Sequence, residues 1–264
     1  MPRPIIALLT DFGTRDHYSG VMKGVVLGIC PDVTIVDVSH DLPPHDIALA
    51  AQELAATYKF FPAGTIFLVV VDPGVGTARR GLAAEAGDRR FVAPDNGVLT
   101  AVFQDAAPKR VVELSERRYA RPTVSRTFEG RDRFAPAAGF IAKGIHLEAF
   151  GRTVTDYQTL NLPVPELEGS VLRGRVARVD HFGNVVTNLD RRTCERLAGG
   201  QGALQLRVGE QPIARIVSTY ADLAPGEVGA LYGSTDHLEC SASSANAADL
   251  LGVKVGDPVE LRRT

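Results

Sequence analysis

A chain of 264 residues, 45% hydrophobic and 23% charged, has the balance of an ordinary globular protein and is long enough for two domains of unequal size. Its 29 basic and 31 acidic side chains leave a formal charge of −2, which gives no electrostatic reason to expect nucleic acid or an anionic membrane as partner. The longest apolar runs, such as IFLVVV at 66–71, are strand-sized and too short to span a bilayer.

The first half alternates short β-rich runs with helical stretches. PIIALLT (4–10) reads as a strand and 17–29 as a helix, followed by the strand VTIVDV (33–38) and the Ala-rich helix 46–60. TIFLVVV (65–71) is a continuous apolar run of the kind buried on both faces of a sheet. FVAPDNGVLTAVF (91–103) repeats strand, turn and helix, and 133–145 closes the series as a helix. Such repetition predicts an α/β domain over 1–158, a mostly parallel sheet flanked by helices. The segment 159–170, with Pro163 and Pro165, reads as a linker. Beyond it, short alternating strands at 171–180, 203–208, 227–233, 237–242 and 257–262 predict a smaller antiparallel β-barrel domain over 171–264.

Cys30, Cys194 and Cys240 are scattered and unpaired by any Cys-x-x-Cys spacing, so they read as buried thiols in a reducing cytoplasm. MPRPIIALLTD meets an acid before the apolar region of a signal peptide develops, which agrees with a cytoplasmic location. His40 and His45 stand in a proline-containing loop, a poor ligand pair, and no metal is expected.

Polar groups collect at the ends of the apolar strands: Asp11-Phe12-Gly13, Asp72-Pro73-Gly74-Val75-Gly76 and Asp95-Asn96-Gly97. In a parallel sheet the carboxyl ends share one edge, where ligands bind, and TFEGRD (127–132) is a candidate fourth member. Each has a plainer reading as a helix cap or a turn chosen for its backbone angles. GVG lacks the Gly-Lys-Ser/Thr of a phosphate loop and the third glycine of a dinucleotide fingerprint. In the second half, Asp180, Phe182 and Asn184 suit an amine and an aromatic heterocycle, or equally an Asx turn beside a core Phe.

Taken together, LLTDFGTRDHYSGVMKG, VSHDLPPHDI, VVVDPGVGTARR, APDNGVLT, TFEGRDRFAPAAG, VDHFGNVVTNL and NAADLLGVKVGD resemble, in order and across both domains, the S-adenosyl-L-methionine hydroxide adenosyltransferases. That family is sister to the halogenating enzymes that make 5′-halo-5′-deoxyadenosines. The resemblance implies a homotrimer with sites at subunit interfaces. It also implies attack of water or hydroxide on C5′ of S-adenosylmethionine, releasing adenosine and methionine. No cofactor is implied, because the cationic substrate supplies its own electrophile. Carried over, Asp11 matches the carboxylate on the ribose diol, and Asp72 and Arg79 match two of the groups around the attacking water. Asp180, Asn184 and Ser234 match positions around the methionine and adenosine parts, Asp180 facing the amino group. Phe182 and Tyr220 match aromatic positions near adenine, and the backbone of Asn246 and Ala247 matches its hydrogen-bonding edge. Phe128 is assigned to the substrate with them.

Two positions depart from the family pattern. Relatives read TFHGRD where this chain has Glu129, and they often carry an aromatic residue over the substrate where this chain has His45. Glu129 keeps an acceptor but loses the imidazole's donor, and it brings a second carboxylate near Asp72. Like charges raise one pKa, so a proton is shared unless Arg79 or Arg131 compensates. Glu129 then either takes the water's proton, points away, or serves only as a helix-entry carboxylate. The rival activities are a non-catalytic adenosine or S-adenosylmethionine sensor, and halogenation. Halogenating relatives carry Tyr at the position of Asp72, and fluorinase also carries Ser at that of Gly130 and an inserted loop absent here.

Overall fold

The computed structural model describes residues 3–199 and 203–264. These fall into two compact units, one ending at Asn161 and the other beginning at Leu162. The first unit contains the strands β1 (Ile5–Thr10), β2 (Thr34–Ser39), β3 (Ile66–Val70), β4 (Gly81–Ala86), β5 (Arg89–Pro94) and β6 (Pro108–Glu113). Its helices are α1 (Tyr18–Ile29), α2 (Ile47–Thr57), α3 (Thr100–Asp105) and α4 (Ala135–Ala142).

The sheet order is β2-β1-β3-β5-β4-β6. Strands β2, β1, β3 and β5 run parallel, whereas β4 is antiparallel to both β5 and β6. Side-chain alternation sends each central strand into two cores. Ile6, Leu8, Ile66 and Leu68 pack with Met22, Phe134 and Ile141 on the face of α1 and α4. Ala7, Leu9, Phe67 and Val69 pack with Ala50, Leu54 and Val102 on the face of α2 and α3. Full burial of each large apolar side chain contributes about 1.5–3 kcal/mol, so two-sided burial locks the register of β1 against β3. Thr10 is thereby paired with Val70, which places Asp11 and Asp72 just beyond neighbouring strand ends.

Strands β4 and β6 were not read from the sequence. GLAAEA is poor in β-branched residues and PKRVVE is half charged, so local propensity gives no strand signal there. Burial of Leu82, Ala83, Ala84, Val111 and Val112 decides instead. A helix predicted to begin at 133 begins as a π-helical turn, Gly130–Phe134, that runs into α4.

The second unit holds β7 (Glu166–Glu168), β8 (Val171–Val179), β9 (Val185–Asp190), β10 (Leu204–Val208) and β11 (Gln211–Ile213). It continues with β12 (Val228–Tyr232), β13 (His237–Ala242) and β14 (Pro258–Arg263), and its helices are α5 (Arg191–Ala198) and α6 (Ala247–Leu251). The order β11-β10-β14-β8-β9-β13-β12 is antiparallel throughout, and a bridge from Ile216 to Ala230 nearly closes it into a barrel around Leu172, Val185, Leu206 and Leu261. β7 lies inside the predicted linker and pairs with β8. No helix among the described residues is long and apolar enough to cross a membrane.

Candidate functional site

The carboxyl ends of β1 and β3 open into a cavity of about 240 Å³ in the first unit. Asp11, His45, Asp72, Phe128 and Glu129 all line it, together with Phe12 and Tyr18. The rings of Phe12, Tyr18 and Phe128 stand 5.2–5.9 Å apart and form one aromatic wall.

Asp72 and Glu129 are bridged by Arg79. One guanidinium nitrogen, Nη2, donates to Asp72 Oδ2 at 2.5 Å and to Glu129 Oε2 at 3.0 Å. The three side chains are only 5%, 12% and 6% exposed respectively, so the ion cluster is largely shielded from water. Arg79 is held in place by Nη1 donating to the Arg80 carbonyl and by stacking 5.2 Å from the Phe134 ring. Burial raises the Asp72 pKa above the ordinary carboxylate value, the nearby Glu129 charge adds to this, and Arg79 opposes it. Asp72 Oδ1 is buried and has no hydrogen-bond partner among the described residues. Such an acceptor is costly to leave unmet and marks a place for a donor.

TFEGRD is not a capping loop built around its glutamate. Glu129 precedes the π-helical turn, but its side chain makes no capping bond and instead faces Arg79 and, 3.4 Å away, Nε of Arg133. Arg131 does not compensate Glu129 as the sequence reading allowed. Its guanidinium clasps the fully buried Asp132 at 2.6 and 2.7 Å and lies 5.2 Å from the Phe128 ring. Asp132 also accepts from Ser125 N at 2.8 Å. Burial opposes its ionisation, yet the Arg131 bonds hold Asp132 below the usual carboxylate range. The clasp fixes the loop that delivers Phe128 and Glu129.

Gly76 of the DPGVG turn has φ of +80°, and a Cβ there would lie 2.3 Å from the Arg126 carbonyl oxygen. Glycine is required twice over, for the left-handed backbone and for the close approach of the two loops. Asp11 caps no helix. Its Oδ2 accepts from His45 N at 2.8 Å, holding a residue with φ of +70° at the cavity mouth. This strain in a non-glycine residue is of the kind found at ligand sites. Asp95 is not part of the cavity: it pairs with Arg80 at 2.6 Å and accepts from Gln158 N.

The remaining predicted residues lie in the second unit. Asp180 Oδ1 accepts from the backbone of Phe182 and Asn184, both at 2.9 Å, and Asn184 Nδ2 donates to Oδ2. This is the Asx turn weighed from the sequence, but Phe182 is 77% exposed and belongs to no core. Tyr220 is half exposed, and its hydroxyl donates to buried Glu239 at 2.6 Å, a bond that pushes the Tyr220 pKa up to about 12. Asn246 caps α6 by accepting from Asp249 N, while Gly183 leaves space for the Asn246 side chain. Ala247 is buried and Ser234 is exposed. Among the described residues, no group of three or more His, Cys, Asp or Glu is arranged to hold a metal ion.

Two family models match the chain, the SAM hydroxide adenosyltransferase N-terminal domain over residues 6–151 and its C-terminal domain over 174–260. This chain belongs to the SAM hydroxide adenosyltransferase family. Among its relatives is an (R)-S-adenosyl-L-methionine hydrolase of Salinispora tropica, 40% identical with 97% of each chain covered. A protein of the same description from Thermus thermophilus is 37% identical over 98% of this chain and 99% of its own. Fluorinases are more distant, as in Actinoplanes at 31% identity over 96% and 95%. The crystal structure of an uncharacterized conserved protein from Thermotoga maritima has a TM-score of 0.93 and 36% identity, covering 98% of this chain and all of that one.

Within a hydroxide adenosyltransferase frame, two residues were missed by sequence reading. Arg133 stands at the start of the helical run 133–145. Glu239 stands in the strand run 237–242 and is buried beneath Tyr220.

Proposed function

We propose that this protein hydrolyses S-adenosyl-L-methionine to adenosine and L-methionine. The carrying observation is the unpartnered Oδ1 of Asp72 in a cavity where a second carboxylate, Glu129, is held through the same Arg79 nitrogen. A water there meets an acceptor on each side and a C5′ delivered from the cavity. The oxygen of that water bonds to C5′ as the C5′–S bond breaks, the bonding pair leaves with sulfur as a neutral thioether, and the water's proton passes to a carboxylate. Ordered binding of both substrate ends contributes about 7–11 kcal/mol through alignment. The base adds roughly 10²–10⁴-fold.

Asp11 takes the ribose hydroxyls, which suits a carboxylate whose second oxygen is not used on His45. Exposed Phe182 and Tyr220 take the adenine, Asp180 the amino group, and Asn184 and Ser234 the polar parts around it. We place the protein in a homotrimer, with sites at subunit interfaces, and in the cytoplasm, which suits three buried free cysteines. Three carboxylates line the cavity, Asp11, Asp72 and Glu129, and they speak against halide as nucleophile, since each repels an anion. Incubating the protein with S-adenosylmethionine and resolving the products tests the reading. Equal amounts of adenosine and methionine are expected; binding without turnover would establish the sensor instead.

A further inference from the structure

We propose that Arg133 is a positioning residue for this reaction: acting through Glu129, it balances the second carboxylate, so that both acids meet the attacking water ionised. The inference rests on the hydrolase reading and adds to it the device that lets a second carboxylate stand beside Asp72 at the water.

Asp72 and Glu129 carry two negative charges, and Arg79 alone supplies one positive charge through a single nitrogen. With no further cation, one proton stays on the pair, and one base is lost to the water. Arg131 is committed to Asp132, and Arg126 donates to the Gly76 carbonyl. The other ionisable groups on the cavity wall, Asp11, His45 and Tyr18, provide no permanent positive charge. Arg133 supplies it, with Nε 3.4 Å from Glu129 Oε2.

The placement is built rather than incidental. The π-helical turn Gly130–Phe134 brings Arg133 back over Glu129. Its Nη1 donates to the Leu114 carbonyl at 2.7 Å, just beyond β6, which anchors the guanidinium. Gly81 opens the space: a Cβ there would lie 2.6 Å from Phe134 and 3.3 Å from Arg133 Cδ. Phe134 in turn carries Arg79 on its ring. Of the two cations that flank Glu129, residue 133 is one and its neighbour Phe134 carries the other, Arg79. Arg133 Nε is itself buried and, among the described residues, makes no formed hydrogen bond; it stands 3.4 Å from Glu129 Oε2, a partner for a charge-assisted one.

The test compares wild type, Arg133→Lys, Arg133→Met, Glu129→His and the double variant Glu129→His with Arg133→Met. Two readouts are taken: the pH profile of kcat, and carboxyl titration by ¹³C NMR on protein labelled at Asp and Glu. Arg133→Met should move the acid limb of kcat and the matching NMR midpoint upward by about one pH unit, with KM unchanged. Arg133→Lys should stay close to wild type. In the Glu129→His background, which lacks the Glu129 carboxylate, Arg133→Met should shift the remaining carboxyl midpoints by less than it does in the Glu129 protein. A loss of stability alone would lower the melting temperature of Arg133→Met without moving either midpoint, and that pattern overturns the proposal. So does an Arg133→Lys profile that matches Arg133→Met. If the wild type forms no adenosine, the hydrolase reading fails by itself, and the NMR midpoints still decide whether Arg133 balances the pair.

Discussion

Asp72 and Glu129 share one guanidinium nitrogen, Nη2 of Arg79, at 2.5 and 3.0 Å. Two acids held through a single buried donor at a cavity wall cannot be independent. The removal of either changes the charge, the hydrogen bonds and the pKa of the other.

Asp72→Asn tests the first acid. The variant should bind S-adenosylmethionine with little change but lose about 10²–10⁴-fold in kcat. Stability should respond in the opposite sense. The folded state raises the Asp72 pKa above its ordinary 3.8, so the group's contribution is complete below pH 3.8 and is lost as pH rises through the raised value. The melting temperature of wild type minus that of Asp72→Asn should therefore fall with increasing pH across this window. A difference that grows with pH would contradict the assigned environment.

Glu129→Ala separates base from bystander. With Glu129 on the water, kcat should drop by about tenfold or more and the pH profile should simplify to one ionisation on its acid side. Full turnover in this variant, beside loss in Asp72→Asn, would show that Asp72 and Arg79 position the water alone. Glu129→His should retain activity, because an imidazole also accepts a proton there.

Asp11→Ala addresses substrate grip. A charged hydrogen bond to the ribose is worth about 1.5–3 kcal/mol, so KM should rise roughly 10- to 100-fold. Wild type should discriminate against a substrate analogue lacking the 2′-hydroxyl, and the variant should not. Equal discrimination by both would remove Asp11 from the ribose.

Gly76→Ala tests the meeting of the two loops. Left-handed backbone costs a non-glycine residue about 1–2 kcal/mol, and the Cβ would also press on the Arg126 carbonyl. The expected outcome is a folded protein with a lowered melting temperature and a reduced kcat, since the DPGVG turn carries Asp72 toward the TFEGRD loop. Wild-type kcat in this variant would show that the approach of the loops does not matter to the chemistry.

The parallel core was legible because its strands are long apolar runs between helical periods, as in TIFLVVV (65–71). Strand β4 was not, because GLAAEA has no strand propensity of its own and is a strand only through burial between β5 and β6. Asp11 and Asp72 were legible through their places at strand ends. Asp95 occupies an equivalent place yet turns to Arg80, a choice that depends on an arginine fifteen residues earlier. Arg133 and Glu239 were hidden for the same reason. Their roles come from partners distant in sequence, or from a π-helical turn that no local pattern announces.

Hydrolysis in ¹⁸O-water, followed by mass analysis of the adenosine, tests the central claim most directly. Attack of water on C5′ at the Asp72–Glu129 pair predicts one ¹⁸O in the 5′-hydroxyl of adenosine and none in methionine. Adenosine carrying only ¹⁶O at that position would contradict it.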